Sequence, residues 1–132
     1  MRLSPESILF ALSSWLVASA AAACSCASAF EFVADGELLK RAYDDAAFVV
    51  HLRVSRIVSG EVAEIEVIED FKGGSSLKEI VRNTLPSSAC GRGPFKVGEE
   101  GIFFIRESRT VGLCSNRGRD KEIVERLRRL RP

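Results

Sequence analysis

The sequence has 132 residues, 46% hydrophobic and 28% charged, with 19 Lys and Arg against 18 Asp and Glu. That is room for one domain with its own core, and too apolar an average for a disordered chain. A formal net charge of +1 supplies no basic excess for a nucleic-acid groove, so nucleic acid is not an expected partner.

Before Cys24 only Arg2 and Glu6 are charged. From Ile8 to Ala23 the chain is apolar or small and ends in an alanine run, the pattern of a secretory signal peptide cleaved just before Cys24. This uncharged stretch is shorter than the about 20 residues that span a bilayer, and no basic stop-transfer cluster follows it. The expected organisation is a signal at 1–23 and one exported domain at 24–132, secreted or periplasmic, with no membrane span. Lipidation of Cys24 competes with simple cleavage. It lacks the usual large aliphatic residue three places upstream, where Ala21 stands, and it would leave an odd number of thiols.

Cys24, Cys26, Cys90 and Cys114 are the whole cysteine set. An even count in an exported chain implies disulfides, in one of three pairings. Cys24 and Cys26 are too close to pair comfortably, so each is expected to reach a distant partner. A four-cysteine zinc site would show two C-x-x-C knuckles, whereas this chain has one C-x-C and two single cysteines.

Further along, Asp35 can cap a short helix running through Tyr43. From Phe48 the period becomes two. Phe48, Val50, Leu52 and Val54 fall on one face of a strand, with His51, Arg53 and Ser55 on the other. A turn at Ser59-Gly60 leads to a second strand in which Ala63, Ile65 and Val67 alternate with Glu64 and Glu66. After the loop Lys72–Ser76 comes a strand around Leu77 to Leu85, stopped by Pro86. Ile102 to Ile105 read as a strand covered on both sides, and Val111, Leu113 and Cys114 as a last short one. Asp120 opens a helix with Ile123, Leu127 and Leu130 on one stripe. Five short strands with a helix near each end predict a mainly β fold, a small closed or partly closed barrel.

Catalysis finds no support in this pattern, and neither an enzyme nor a cofactor is expected. The single histidine, His51, lies on a polar strand face, no thiol stays free if both bridges form, and no G-x-S-x-G turn occurs. Glu64 and Glu66 read as a wet strand face. Between Arg117 and Arg131 seven basic residues stand against Asp120, Glu122 and Glu125. This reads first as the solvated side of the last helix, and second as a weak attraction to an acidic surface.

Cys24-Ser25-Cys26, the strand Ala46 to Val54, Phe71-Lys72-Gly73, the stretch Thr84 to Gly91 (TLPSSACG), Val97-Gly98 before Ile102 to Ile105, and Leu113-Cys114 together resemble the tissue inhibitors of metalloproteinases. The similarity runs in order over most of residues 24–116. The wider family is the netrin-like module, so the resemblance implies a five-stranded OB-type barrel. It implies bridges Cys24–Cys90 and Cys26–Cys114. It also implies a zinc metalloendopeptidase as partner and action as a monomer. The freed α-amine and the carbonyl of Cys24 would chelate the protease's catalytic zinc in trans and displace its water. Ser25 would enter the main specificity pocket, Cys26, Ala27 and Ser28 would continue along the cleft, and Ser87, Ser88 and Ala89 would complete the contact ridge. Departures from the family pattern are a missing third cysteine pair, a tight hairpin at Ser59-Gly60, and Ala27-Ser28 in place of an aliphatic-proline start. The alternative function is a netrin-like module that binds an extracellular or periplasmic protein without inhibiting a protease.

Overall fold

Two capping side chains start the first helices. In the computed structural model, which describes residues 24–132, Ser28 Oγ accepts the Glu31 N–H at 3.2 Å and the Glu31 carboxylate accepts the Ser28 N–H at 3.1 Å. This reciprocal cap opens α1 (Ala29–Ala34). Asp35 then ends α1 and caps α2 (Gly36–Asp45), its Oδ1 accepting from the Glu37 and Leu38 N–H groups. The sequence predicts α2 from that aspartate; α1 is an addition. The expected signal at 1–23 lies outside the described residues.

The strands are β1 (Phe48–Ile57), β2 (Val62–Lys72), β3 (Glu79–Arg82), β4 (Glu100–Ile105) and β5 (Thr110–Val111). They form one five-stranded sheet in the order β4-β1-β2-β3-β5. All pairings are antiparallel except β3 with β5. Three register shifts along the β1–β2 ladder, at Val49/Val50, His51/Leu52 and Val54/Arg56, bend this long pair. The sheet curls into a half-barrel. The outer edge of β4 is not left open: Phe104 N–H donates to the Ser115 carbonyl at 2.9 Å, and Ile102 exchanges backbone bonds with Arg117 and Gly118.

Curling gives the sheet two buried faces. Inside the curl, Val50, Leu52 and Val54 of β1 meet Ala63, Ile80, Phe103, Ile105 and Val111. On the convex side, Val49, Phe71 and Ile102 pack against Phe32, Leu39 and Tyr43 of the first helices and against Ile123 and Leu127 of α3 (Lys121–Leu130). Alternation along β4, with Ile102 on one side and Phe103 and Ile105 on the other, is what a strand covered on both sides requires. Asp120 caps α3 through the Glu122 and Ile123 N–H groups. Complete burial of Ile123 and Leu127 stabilises its docking by about 1.5–3 kcal/mol each.

Phe71-Lys72-Gly73 is a latch between β2 and α2. Phe71 is buried and its carbonyl accepts the Tyr43 hydroxyl at 2.8 Å, while Lys72 Nζ donates to the Tyr43 carbonyl at 2.8 Å. Gly73 has φ 67°, and a Cβ there would meet the Ala47 carbonyl oxygen at 2.9 Å.

Three strand limits differ from expectation. β2 runs on to Lys72 instead of ending near Val67. β3 keeps only Glu79–Arg82 of the expected stretch from Leu77 to Leu85, because beyond Asn83 the chain folds into a tight loop. β5 stops at Val111, because Gly112 turns, donating its N–H to Ser115 Oγ at 2.9 Å. Among the described residues no helix is long and apolar enough to cross a membrane.

Candidate functional site

At one end of the half-barrel the chain crosses itself at its cysteines. Disulfides join Cys24 to Cys90 and Cys26 to Cys114, with Cα separations of 5.3 and 5.2 Å. The two bridges touch, Cys24 Sγ lying 3.9 Å from Cys114 Sγ. The starting segment is thereby fixed against two loops at once, and no cysteine is free.

The loop 84–91 is wound by its own backbone. Asn83 Oδ1 accepts the Leu85 N–H at 3.0 Å, and the Pro86 carbonyl accepts from both Ala89 and Gly91. Ser87–Ala89 form one 3-10 turn, after which Cys90 sits at φ 67°, in the left-handed region costly for a residue with a side chain. A Cβ on Gly91 would fall 1.6 Å from the Leu85 carbonyl oxygen, so only glycine lets the loop close. Gly112 is needed in the same way. Its missing Cβ leaves room for the Cys90 carbonyl, which accepts the Leu113 N–H at 2.9 Å.

This arrangement brings Cys24 and Ser25 together with the 87–89 turn. Ser25, Cys26, Ser87, Ser88 and Ala89 are all exposed, and Cys24 is half-buried. Leu85 and Leu113 flank them, 56% and 41% exposed. Ala27 and Ser28 are differently employed. Ala27 is half-buried against the helix-side core, and the Ser28 hydroxyl is engaged in the α1 cap. The Ala27 carbonyl accepts Arg117 Nη1 at 2.9 Å, and the Arg117 guanidinium lies 5.1 Å from the Phe32 ring centroid. Burial pushes the Arg117 pKa below its ordinary value. Sequence reasoning did not single out Arg117, because nothing in the C-terminal charge pattern separates this inward-turned arginine from its solvated neighbours.

Behind the exposed segments lies an open cleft of about 720 Å³, with Cys24, Ser25, Leu85 and Ala89 on its rim. Its floor includes Phe104, which stacks on Phe32 with ring centroids 6.2 Å apart and planes within 4°.

Charged groups elsewhere are mostly paired off. Glu64 takes Arg56 through two bonds of 2.6 and 3.0 Å, and Glu66 takes Arg53 at 2.7 Å. The two glutamates are thus cross-strand ion-pair partners. His51 Nε2 lies 3.3 Å from Glu100 Oε2 without hydrogen-bond geometry. His51, with Arg119 also paired to Glu100, holds that carboxyl below the usual carboxylate range. On α3 and the residue after it, Arg128 and Arg131 both grip Glu69, and Arg126 pairs with Glu122. The basic face is largely neutralised by the protein's own acids. Among the described residues no group of three or more His, Cys, Asp or Glu could hold a metal ion.

Comparison with family models, with curated proteins and with solved structures finds no match to this chain.

Proposed function

We propose that the chain is an exported inhibitor of zinc metalloendopeptidases, built on a netrin-like, OB-type half-barrel and acting through its cysteine-bridged ridge. The observation that carries this reading is the juxtaposition of Cys24 and Ser25 with Ser87–Ala89 by the Cys24–Cys90 bridge. The three-strand meander β1-β2-β3, with β4 antiparallel to β1 and β5 parallel to β3, supports the OB-type assignment.

Cleavage before Cys24 would free an α-amine next to a carbonyl, and this pair can fill the open position of a zinc held by the target protease. Among the described residues no backbone N–H donates to the Cys24 carbonyl, so its lone pairs remain free for that role. Ser25 would then project into the specificity pocket, with Ser87, Ser88 and Ala89 alongside. Two bridges and a self-bonded loop order these groups in advance, which lowers the entropic cost of association.

The test is direct. Protein beginning at Cys24 should slow at least one member of a panel of zinc endopeptidases, and the same protein with one alanine added before Cys24 should not. Identical behaviour of the two forms eliminates the reading. A second reading, a netrin-like module that binds a protein partner without inhibition, draws on the exposed Leu85 and Leu113, an apolar contact surface that needs no zinc. N-terminal sequencing of exported material discriminates: a start upstream of Cys24, or a blocked amine, leaves the second reading.

A further inference from the structure

We propose that the cleft behind the ridge binds a monoanionic carboxylate carrying an apolar group. Two cations, Arg106 and Arg117, lie on its wall, and among the described residues neither has a carboxylate within 4.0 Å. Arg53, Arg56, Arg92, Arg119, Arg126, Arg128 and Arg131 each have one, while Arg41, Arg82, Arg109 and Arg129 also stand without one but lie outside this cleft.

Arg117 is the telling member of the pair. It is half-buried, its Nε is shut off from solvent without any hydrogen-bond partner, and one Nη is held by the Ala27 carbonyl. A desolvated guanidinium with a carbonyl and an aromatic ring for company, but no counter-ion, leaves electrostatic free energy that an anion can recover. The fork is also pre-positioned, because the Ala27 bond and the Phe32 face fix its plane.

Chemistry of the remaining lining narrows the ligand. Ala46, Phe104 and Ile105 give an apolar floor that suits a hydrocarbon or aryl body. Asp45 is the one acid on the wall against Arg106 and Arg117, and a mature N-terminus at Cys24 adds its α-ammonium, so the lining is net positive and suits a carboxylate. The carboxylate can belong to a free small molecule or to an acidic side chain of a docked protein, since the cleft opens beside Ser25 and Ala89. This site does not depend on protease inhibition and is tested separately from it.

Backbone-amide NMR of the full mature protein answers the question with three probes. Phenylbutyrate should shift the amides of Ile105, Arg106 and Arg117, and its uncharged analogue phenylbutyramide should not. Arg117→Gln and Arg106→Gln should each weaken phenylbutyrate binding about 10-fold, the loss of one charge-assisted hydrogen bond. Arg106 is exposed and supports no part of the fold, so its variant decides the matter should Arg117→Gln fail to fold. A terminally blocked Leu-Glu-Leu peptide is the third probe. Binding of phenylbutyrate without the peptide assigns the cleft to a free ligand, and binding of the peptide without phenylbutyrate assigns it to a partner's side chain. The proposal is overturned if neither carboxylate moves these amides, if the neutral amide binds as well as the acid, or if both variants bind like the parent protein.

Discussion

Phe103 and Ile105 are fully buried inside the curl, whereas Ser87, Ser88 and Ala89 are all exposed. The sheet and helices hold their places by apolar contact on both faces, so their geometry follows from burial and needs no covalent help. The ridge has almost nothing to bury. Its shape comes from two disulfides, a run of backbone hydrogen bonds and two glycines without room for a Cβ. The difference teaches that stability and proposed function have separate physical supports here, and that each should be removable while much of the other remains.

The largest effect is expected in the body. Phe103→Ala empties the inside of the curl and should lower unfolding free energy by about 3–5 kcal/mol, read from urea denaturation with the bridges intact. Deleting one bridge, by Cys26→Ala together with Cys114→Ala, should cost about 2–4 kcal/mol. If the comparison holds, sheet amides stay protected from hydrogen exchange in the bridge variant while those of Gly112, Leu113 and Ser115 lose protection. Equal loss across β1 and β4 would break it, because the bridge would then be supporting the body. Smaller again, Gly91→Ala forces the Leu85 carbonyl aside and should cost about 1–3 kcal/mol, with amide shifts concentrated in residues 84–91. If Gly91→Ala leaves that loop unchanged, the claim that the ridge is set by backbone closeness is wrong.

The same division explains what the sequence could reveal. Period-two alternation made β1 readable, and the aspartate caps placed the starts of α2 and α3, since both signals belong to single residues and their near neighbours. Helix α1 was equally legible in principle, as Ser28 and Glu31 stand at capping-box spacing; six residues show too little periodicity to draw notice. The far half of β2 escaped because Ile68 and Glu69 invert the alternation, and pairing with β1 sustains the strand. β3 and β5 were overextended because their ends depend on contacts distant in sequence, Asn83 N–H with the Val111 carbonyl and Leu113 N–H with the Cys90 carbonyl. At the ridge, composition required bridges and local reading left the pairing open. The cleft and the uncompensated charge of Arg117 were invisible, since both exist only once residues from α2, β4 and the cysteine loops meet.

The smallest expected effect is the pH response, and it sharpens the comparison because the acids involved sit on the body. Glu99 is raised by burial, but Arg92, with bonds of 2.7 and 2.8 Å, together with Asn116 and the Lys96 N–H, outweighs that and leaves its pKa below the ordinary carboxylate value. Glu64 and Glu69 are lowered too, by hydrogen bonds from Arg56 and Arg128, and Glu100 by the close approach of His51 and its pairing with Arg119. A carboxyl whose folded pKa is depressed contributes stability that is present above its unfolded pKa and is lost as pH falls through the folded value. Unfolding free energy should therefore be level near neutrality and decline once pH drops below about 4.3, the ordinary glutamate value. Glu99→Gln should flatten part of that decline while lowering stability at neutral pH, measured by denaturant titration at several pH values. The stretch from Thr84 to Gly91 holds no carboxylate side chain, so its amides should keep their positions over the same range as long as both bridges are intact. A ridge that loosened in step with the acid decline would show that its order is borrowed from the ion pairs of the body, through Arg92 and Glu99, and that the two supports are not separate.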